Sequence, residues 1–188
     1  VQPKHQASSA TGPPPAAMQQ RPLGRTGKTI PQIGQGTWRV RDSVACAKGV
    51  LEGLRLGMTH IDTAELYEWN SHSETMLGDV LAQPGPGGKP WRESVFLASK
   101  VHPRNANSKG VVSSCKDSLV RLQTDRLDLY YHHWREDSVP LAETLRALSS
   151  LVDAGWVHHI GVSNYDVPDL EEAESMLGRG KIGANQIL

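Results

Sequence analysis

Only two cysteines and a single phenylalanine stand among the 188 residues, and aromatic residues make up 5% of the chain. Cys46 and Cys115 lie far apart in helix-like contexts, which excludes a disulfide framework and reads as two packed thiols in a reducing compartment. An excess of either charge is missing too, since 20 Lys and Arg balance 20 Asp and Glu. That balance excludes the basic surface of a nucleic-acid binder and the polybasic patch of a membrane-surface protein. No run approaches the ~18 uninterrupted apolar residues that span a bilayer, and the N-terminal stretch has no apolar core of a secretory signal. These absences leave a soluble, cytoplasmic chain without nucleic-acid or membrane partners. Counting glycine and omitting tyrosine, the chain is about 45% apolar, ordinary for a globular protein, so disorder of the bulk is excluded as well.

What is present divides unevenly. Residues 1–20, with a Pro triplet and small polar side chains, offer too little apolar surface to offset the entropy of ordering and read as a disordered tail. Residues 21–188 form the expected folded domain, beginning with a hairpin across RPLGRTGKTI. Six strand candidates follow: QIGQGTW, MTHIDTA, VFLASKV, RLDLYYHHW, VHHIGVSN and ANQIL. Between them run helical stripes: Val44, Ala47, Leu51, Leu54 and Met58, with Gly57 as a C-terminal stop; Val112, Cys115, Leu119 and Leu122; Leu141, Leu145, Leu148 and Val152. The segment QPGPGGK is a connecting loop, and Glu171, Glu172 and Glu174 read as a solvated helix face.

Strands joined by helices run parallel with right-handed crossovers, in an open doubly wound sheet or a (β/α) barrel. The glycine-rich turn of a dinucleotide-binding open sheet is missing after the first strand. Polar residues instead recur at successive strand ends: Asp62, Lys100, His132 with His133, Ser163 with Asn164, Asn185 with Gln186. A barrel gathers all of these at one mouth, so a (β/α)8 TIM-type barrel, present through its sixth strand, is the predicted fold.

The residues at that mouth have a chemical logic. A phenol with a reference pKa near ~10 is a poor acid unless a cation stabilises its phenolate. Lys100 can supply the cation for Tyr67, Asp62 can hold Lys100 protonated, and an imidazole from the His132-His133 pair can polarise a carbonyl oxygen. Adjacent strand residues point to opposite faces, so only one histidine of the pair enters the mouth. No metal site is expected, because His132-His133 and His158-His159 lack ligand spacing.

At this point the sequence resembles the aldo-keto reductases, through IDTAELY, FLASKV, RLDLYYHHW, GVSNYDVPDL, ANQIL and the opening LGRTGKTIPQIGQGTW. QGTW, DTAE and SKV look most like bacterial-type reductases of small aldehydes such as methylglyoxal. The resemblance implies a carbonyl reductase with catalytic Asp62, Tyr67, Lys100 and His133, His132 being the structural alternative to His133. It implies NADP as cofactor, with NAD possible, and a small carbonyl substrate. Ser163, Asn164 and Gln186 would meet the nicotinamide carboxamide, and Thr37 and Trp38 its ribose, beside Asp62. Trp38, Trp69 and Trp134 would wall the substrate pocket. The sequence departs from the family where Arg135 replaces the usual Pro after HW and Trp156 replaces a basic residue. It also ends on the sixth strand, so the chain alone is expected to be inactive. The rival reading is a noncatalytic or regulatory relative, like the potassium-channel β-subunits that resemble the same family.

Overall fold

Six parallel strands carry the residues of interest, in a computed structural model that describes residues 18–136 and 138–188. The expected tail lies outside the described residues up to residue 17. Gln20, the last residue of the expected tail, pairs with Pro31 in a hairpin of β1 (Gln20–Pro22) and β2 (Thr29–Pro31). Hairpin residue Leu23 packs on Ala98, Leu129 and Tyr131. Gly24 has a left-handed φ of 48°, and a Cβ there would lie 2.6 Å from the Gly183 carbonyl oxygen, so only glycine permits this closure.

The sheet contains β3 (Gln35–Gly36), β4 (His60–Asp62), β5 (Phe96–Val101), β6 (Leu127–His132), β7 (Val157–Ser163) and β8 (Ile182–Gln186). Neighbours in sequence are neighbours in space throughout, and every pair is parallel. A doubly wound sheet would reverse its order at a switch point. This one does not, and its strands form the wall of a (β/α) barrel. Along β5, Ala98 belongs to the interior cluster with Leu129 and Tyr131, whereas Leu97 and Val101 pack with the helices. Lys100 is therefore interior and Ser99 is not.

The helices are α1 (Ser43–Arg55), α2 (Glu65–Ser71), α3 (Ser73–Leu81), α4 (Ser108–Arg121), α5 (Leu141–Asp153) and α6 (Val167–Leu177). Asp42 caps α1, Asn107 caps α4, and Asp166 with Asp169 forms a capping box on α6. Leu141, Leu145 and Leu148 are buried on α5, as are Cys115 and Leu119 on α4, as the periodicity predicts. The α1 stripe is displaced. Val44 is 64% exposed, and burial falls on Val50, Gly53 and Leu54. Strand β3 is only two residues long, and the Gln35 amide donates to the carbonyls of Val50 in α1 and of Met58 beyond the end of that helix. No helix among the described residues is long and apolar enough to cross a membrane.

Candidate active site

Two successive strand ends and the helix between them bring the first part of the site together. Lys100, fully buried on β5, donates from Nζ to both carboxylate oxygens of Asp62 at 2.7 Å and to the Thr63 carbonyl at 2.9 Å. The same nitrogen lies 3.4 Å from the Tyr67 hydroxyl. Thr63 is held by its own N–H, which extends the β4–β5 pairing to the Ala98 carbonyl at 3.0 Å. Burial pulls the Lys100 pKa down, and the charges of Asp62 and then Glu74 oppose that pull.

Tyr67 corrects one expectation. Burial first and the Asp62 charge second push its phenol up to about 12, where a lowered value was expected from Lys100. The ammonium is shared with the two Asp62 oxygens, so desolvation outweighs the stabilisation it gives the phenolate. At neutral pH the phenol therefore holds its proton firmly.

Strand alternation separates the two histidines. His132 turns away from the mouth, with Nδ1 2.8 Å from the Tyr165 hydroxyl. His133 follows on the opposite side, its ring edge-on to Tyr67 with centroids 5.7 Å apart. Burial, then Lys100, lowers its pKa to about 3, so the ring is neutral. Its Nδ1 is buried without a hydrogen-bond partner among the described residues, which leaves Nε2 to address the cleft.

Tyr67 and His133 open onto a cleft of about 240 Å³ with Trp38 and Trp134 as aromatic walls and Ser163, Asn164 and Gln186 on the far side. A larger hollow of about 420 Å³ lies between α1 and α3, away from these groups. Ser163 Oγ donates to the Gln186 carbonyl at 2.8 Å, and Asn164 Nδ2 donates to Ser163 Oγ at 3.2 Å. Asn164 adopts a left-handed φ of 59°, which asparagine tolerates. The Gln186 side-chain amide has no partner among the described residues. One free amide beside a hydroxyl and a second amide offers the donors and acceptors that a nicotinamide carboxamide requires, so these residues fit that group.

Two expected contacts fall elsewhere. Thr37 is fully buried, with Oγ1 donating to Thr63 Oγ1 at 2.9 Å and its carbonyl accepting from Ser73 Oγ, so it braces the strand ends and does not line the cleft. Trp69 is 58% exposed and packs on His102 with centroids 5.1 Å apart, outside the cleft lining. The acidic run is likewise not simply solvated: Glu172 and Asp169 each meet Arg135 Nη1 at 2.6 Å, and Glu174 accepts from Gly180 N–H. Arg135, the departure after Trp134, thus fastens the β6–α5 loop to α6. Among the described residues no group of His, Cys, Asp and Glu could hold a metal ion.

Sequence reasoning missed Glu65 and His102. Both are buried beside the catalytic set, and His102 bridges Trp69 to Trp134, 5.1 Å from each by ring centroids. Their positions, two before Tyr67 and two after Lys100, were the available signal.

A sequence model of the Aldo/keto reductase family matches residues 32–187. Methylglyoxal reductase YeaE of Escherichia coli is 37% identical over 176 residues, which cover 91% of this chain and 59% of that protein. A thermostable aldo-keto reductase crystallised with the inhibitor epalrestat superposes with a TM-score of 0.81 at 35% identity, covering 90% of this chain and 62% of that one. An aldo/keto reductase from Klebsiella pneumoniae, crystallised with NADP and acetate, gives 0.73 at 36% identity, covering 89% and 57%. The chain thus spans somewhat more than half the length of the relatives it matches. With that span of sequence matched, and with the strand ends assembled as described, the chain belongs to the aldo/keto reductase family.

Proposed function

We propose that the protein is a cytoplasmic reductase that converts small aldehydes or ketones into alcohols with NADPH, NADH being the alternative donor. The observation that carries this reading is the convergence of Tyr67, Lys100, Asp62 and His133 at one cleft. Ser163, Asn164 and Gln186, near Trp38, would hold the nicotinamide, whose chemistry when bound would be the hydride needed at the carbonyl carbon. Neutral His133 donates a hydrogen bond from Nε2 to the carbonyl oxygen and orients it. Tyr67 transfers its hydroxyl proton to that oxygen as negative charge develops there. Lys100 stabilises the phenolate left behind, and Asp62 keeps Lys100 charged and in place. The Tyr67 phenolate is reprotonated from solvent, which closes the cycle. Trp38 and Trp134 offer the substrate an apolar wall, consistent with a short-chain carbonyl such as the methylglyoxal named for YeaE.

Presence of all four residue types in contact favours an enzyme over a noncatalytic cofactor-binding relative. The test is NADPH oxidation by the full gene product with methylglyoxal and a panel of aldehydes. Tyr67→Phe is expected to keep NADPH binding, read by cofactor fluorescence, and to lose about 10²–10⁴-fold in turnover. Absence of saturable oxidation overturns the reductase, and unchanged turnover of Tyr67→Phe overturns the assignment of the acid.

A further inference from the structure

Glu65 is a carboxylate only 4% exposed that the chemistry above does not use. It opens α2, the helix that carries Tyr67. That helix has seven residues, and Ala64 at its cap position supplies no side-chain acceptor. Helices this short are marginal unless tertiary bonds hold them. Glu65 provides such bonds: Oε1 accepts from the backbone N–H of His102, and both oxygens accept from Asn105 Nδ2 at 3.2 Å. His102 lies two residues beyond Lys100 on the same chain segment. One buried carboxylate therefore joins the helix bearing the phenol to the strand end bearing the ammonium. It acts beside the Thr63 bonds to Ala98 and to Lys100 Nζ and the packing of Trp69 on His102, and of these it is the buried, charged tie at the first residue of α2.

The 3.4 Å between Lys100 Nζ and the Tyr67 hydroxyl is already at the long end of hydrogen bonding, so a small outward shift of α2 would break it. We propose that Glu65 is a positioning residue that holds Tyr67 against Lys100 and thereby sets the rate and pH range of proton transfer, without touching substrate. This rests on the reductase reading above. Among the described residues, Asp62 from β4, Lys100 from β5 and His133 after β6 face the phenol, and Glu65 is hydrogen-bonded to none of these three.

The test compares Glu65→Leu, Glu65→Gln and Glu143→Gln in the full gene product. Glu143 is the control, because it ties the α4 start to α5 by accepting from Ser108, away from the phenol. Glu65→Leu is expected to lower kcat about tenfold to a hundredfold with KM nearly unchanged, because the displaced group acts on the chemical step. Its alkaline limb should move upward as the phenolate loses its cation. Glu65→Gln keeps an acceptor for His102 N–H and should recover most of both, while Glu143→Gln should match the parent. A crystal structure of Glu65→Leu should show Nζ and the phenol oxygen beyond hydrogen-bond range. Parent-like kcat and pH limb in Glu65→Leu, or an unchanged separation, overturn the proposal. If Glu65→Leu does not fold, Asn105→Ala, which removes one of the bonds, is read by the same kinetics and the same distance. Should the parent show no turnover, the reductase reading falls and the crystallographic separation alone decides the role of Glu65.

Discussion

Replacing Asp62 by Asn removes one charge from a buried pair and leaves its shape nearly intact. Both Asp62 oxygens lie 2.7 Å from Lys100 Nζ, and the side chains are 17% and 0% exposed. After the change the ammonium keeps the Thr63 carbonyl and the Tyr67 hydroxyl, while one of its two anionic contacts becomes an NH₂ donor. Removing one partner of a buried pair costs about 3–5 kcal/mol. A ceiling exists, because Lys100 can shed its proton instead. Relative to an unfolded pKa of ~10.4, that costs roughly 4.6 kcal/mol at pH 7 and about 1.9 kcal/mol at pH 9. The sign follows from the folded pKa of Lys100, which burial already lowers and which falls further without Asp62. Destabilisation is full below that folded pKa and fades as the pH rises toward the unfolded value. The expected deficit is therefore about 3–4.5 kcal/mol near pH 7, narrowing to about 2 kcal/mol near pH 9. Urea unfolding followed by tryptophan fluorescence measures it at both pH values. Adding Lys100→Met should return much of the stability, since no buried charge is then left unpaired. Parent-like stability of Asp62→Asn at neutral pH, or a deficit that does not change with pH, would refute the reasoning.

Lys100→Met keeps side-chain length and removes the cation, so the alkaline limb of the pH-rate profile should move upward; an unmoved limb with parent turnover would make Lys100 purely structural. His132 and His133, buried and lowered to about 4 and about 3, are neutral when folded. Their contribution is present above the unfolded pKa near ~6.5 and is lost as pH falls, at roughly 1.4 kcal/mol per unit for each histidine. Unfolding midpoints should therefore drop steeply between about pH 6 and pH 4, and a flat profile argues against neutral burial. Among the described strands of residues 1–188, β3 and β8 are paired on one side only. Produced alone, these residues should self-associate and show no saturable NADPH oxidation, and a monodisperse, active monomer would count against this.

Much of the fold was legible because strand and helix periods are local properties. Alternating β and α patterns, with Gly57 and the QPGPGGK loop as breaks, place the six parallel strands without reference to distant residues. The same two-residue period sends His132 toward Tyr165 and His133 toward Tyr67. Motif resemblance then assigned Asp62, Tyr67, Lys100 and His133 their chemistry. What the sequence could not encode locally was the direction of loop side chains and the balance of fields among buried groups. Whether Thr37 faces a ligand or Thr63, and whether Trp69 reaches the cleft or stops at His102, depends on which neighbours fill the remaining space. The tertiary structure also decided that Tyr67 rises to about 12, because desolvation sums over every surrounding atom while the nearest cation is already shared with Asp62. Glu65 belongs to the same class: its partners His102 and Asn105 stand 37 and 40 residues away, and only the closing of β4 against β5 brings them to its carboxylate.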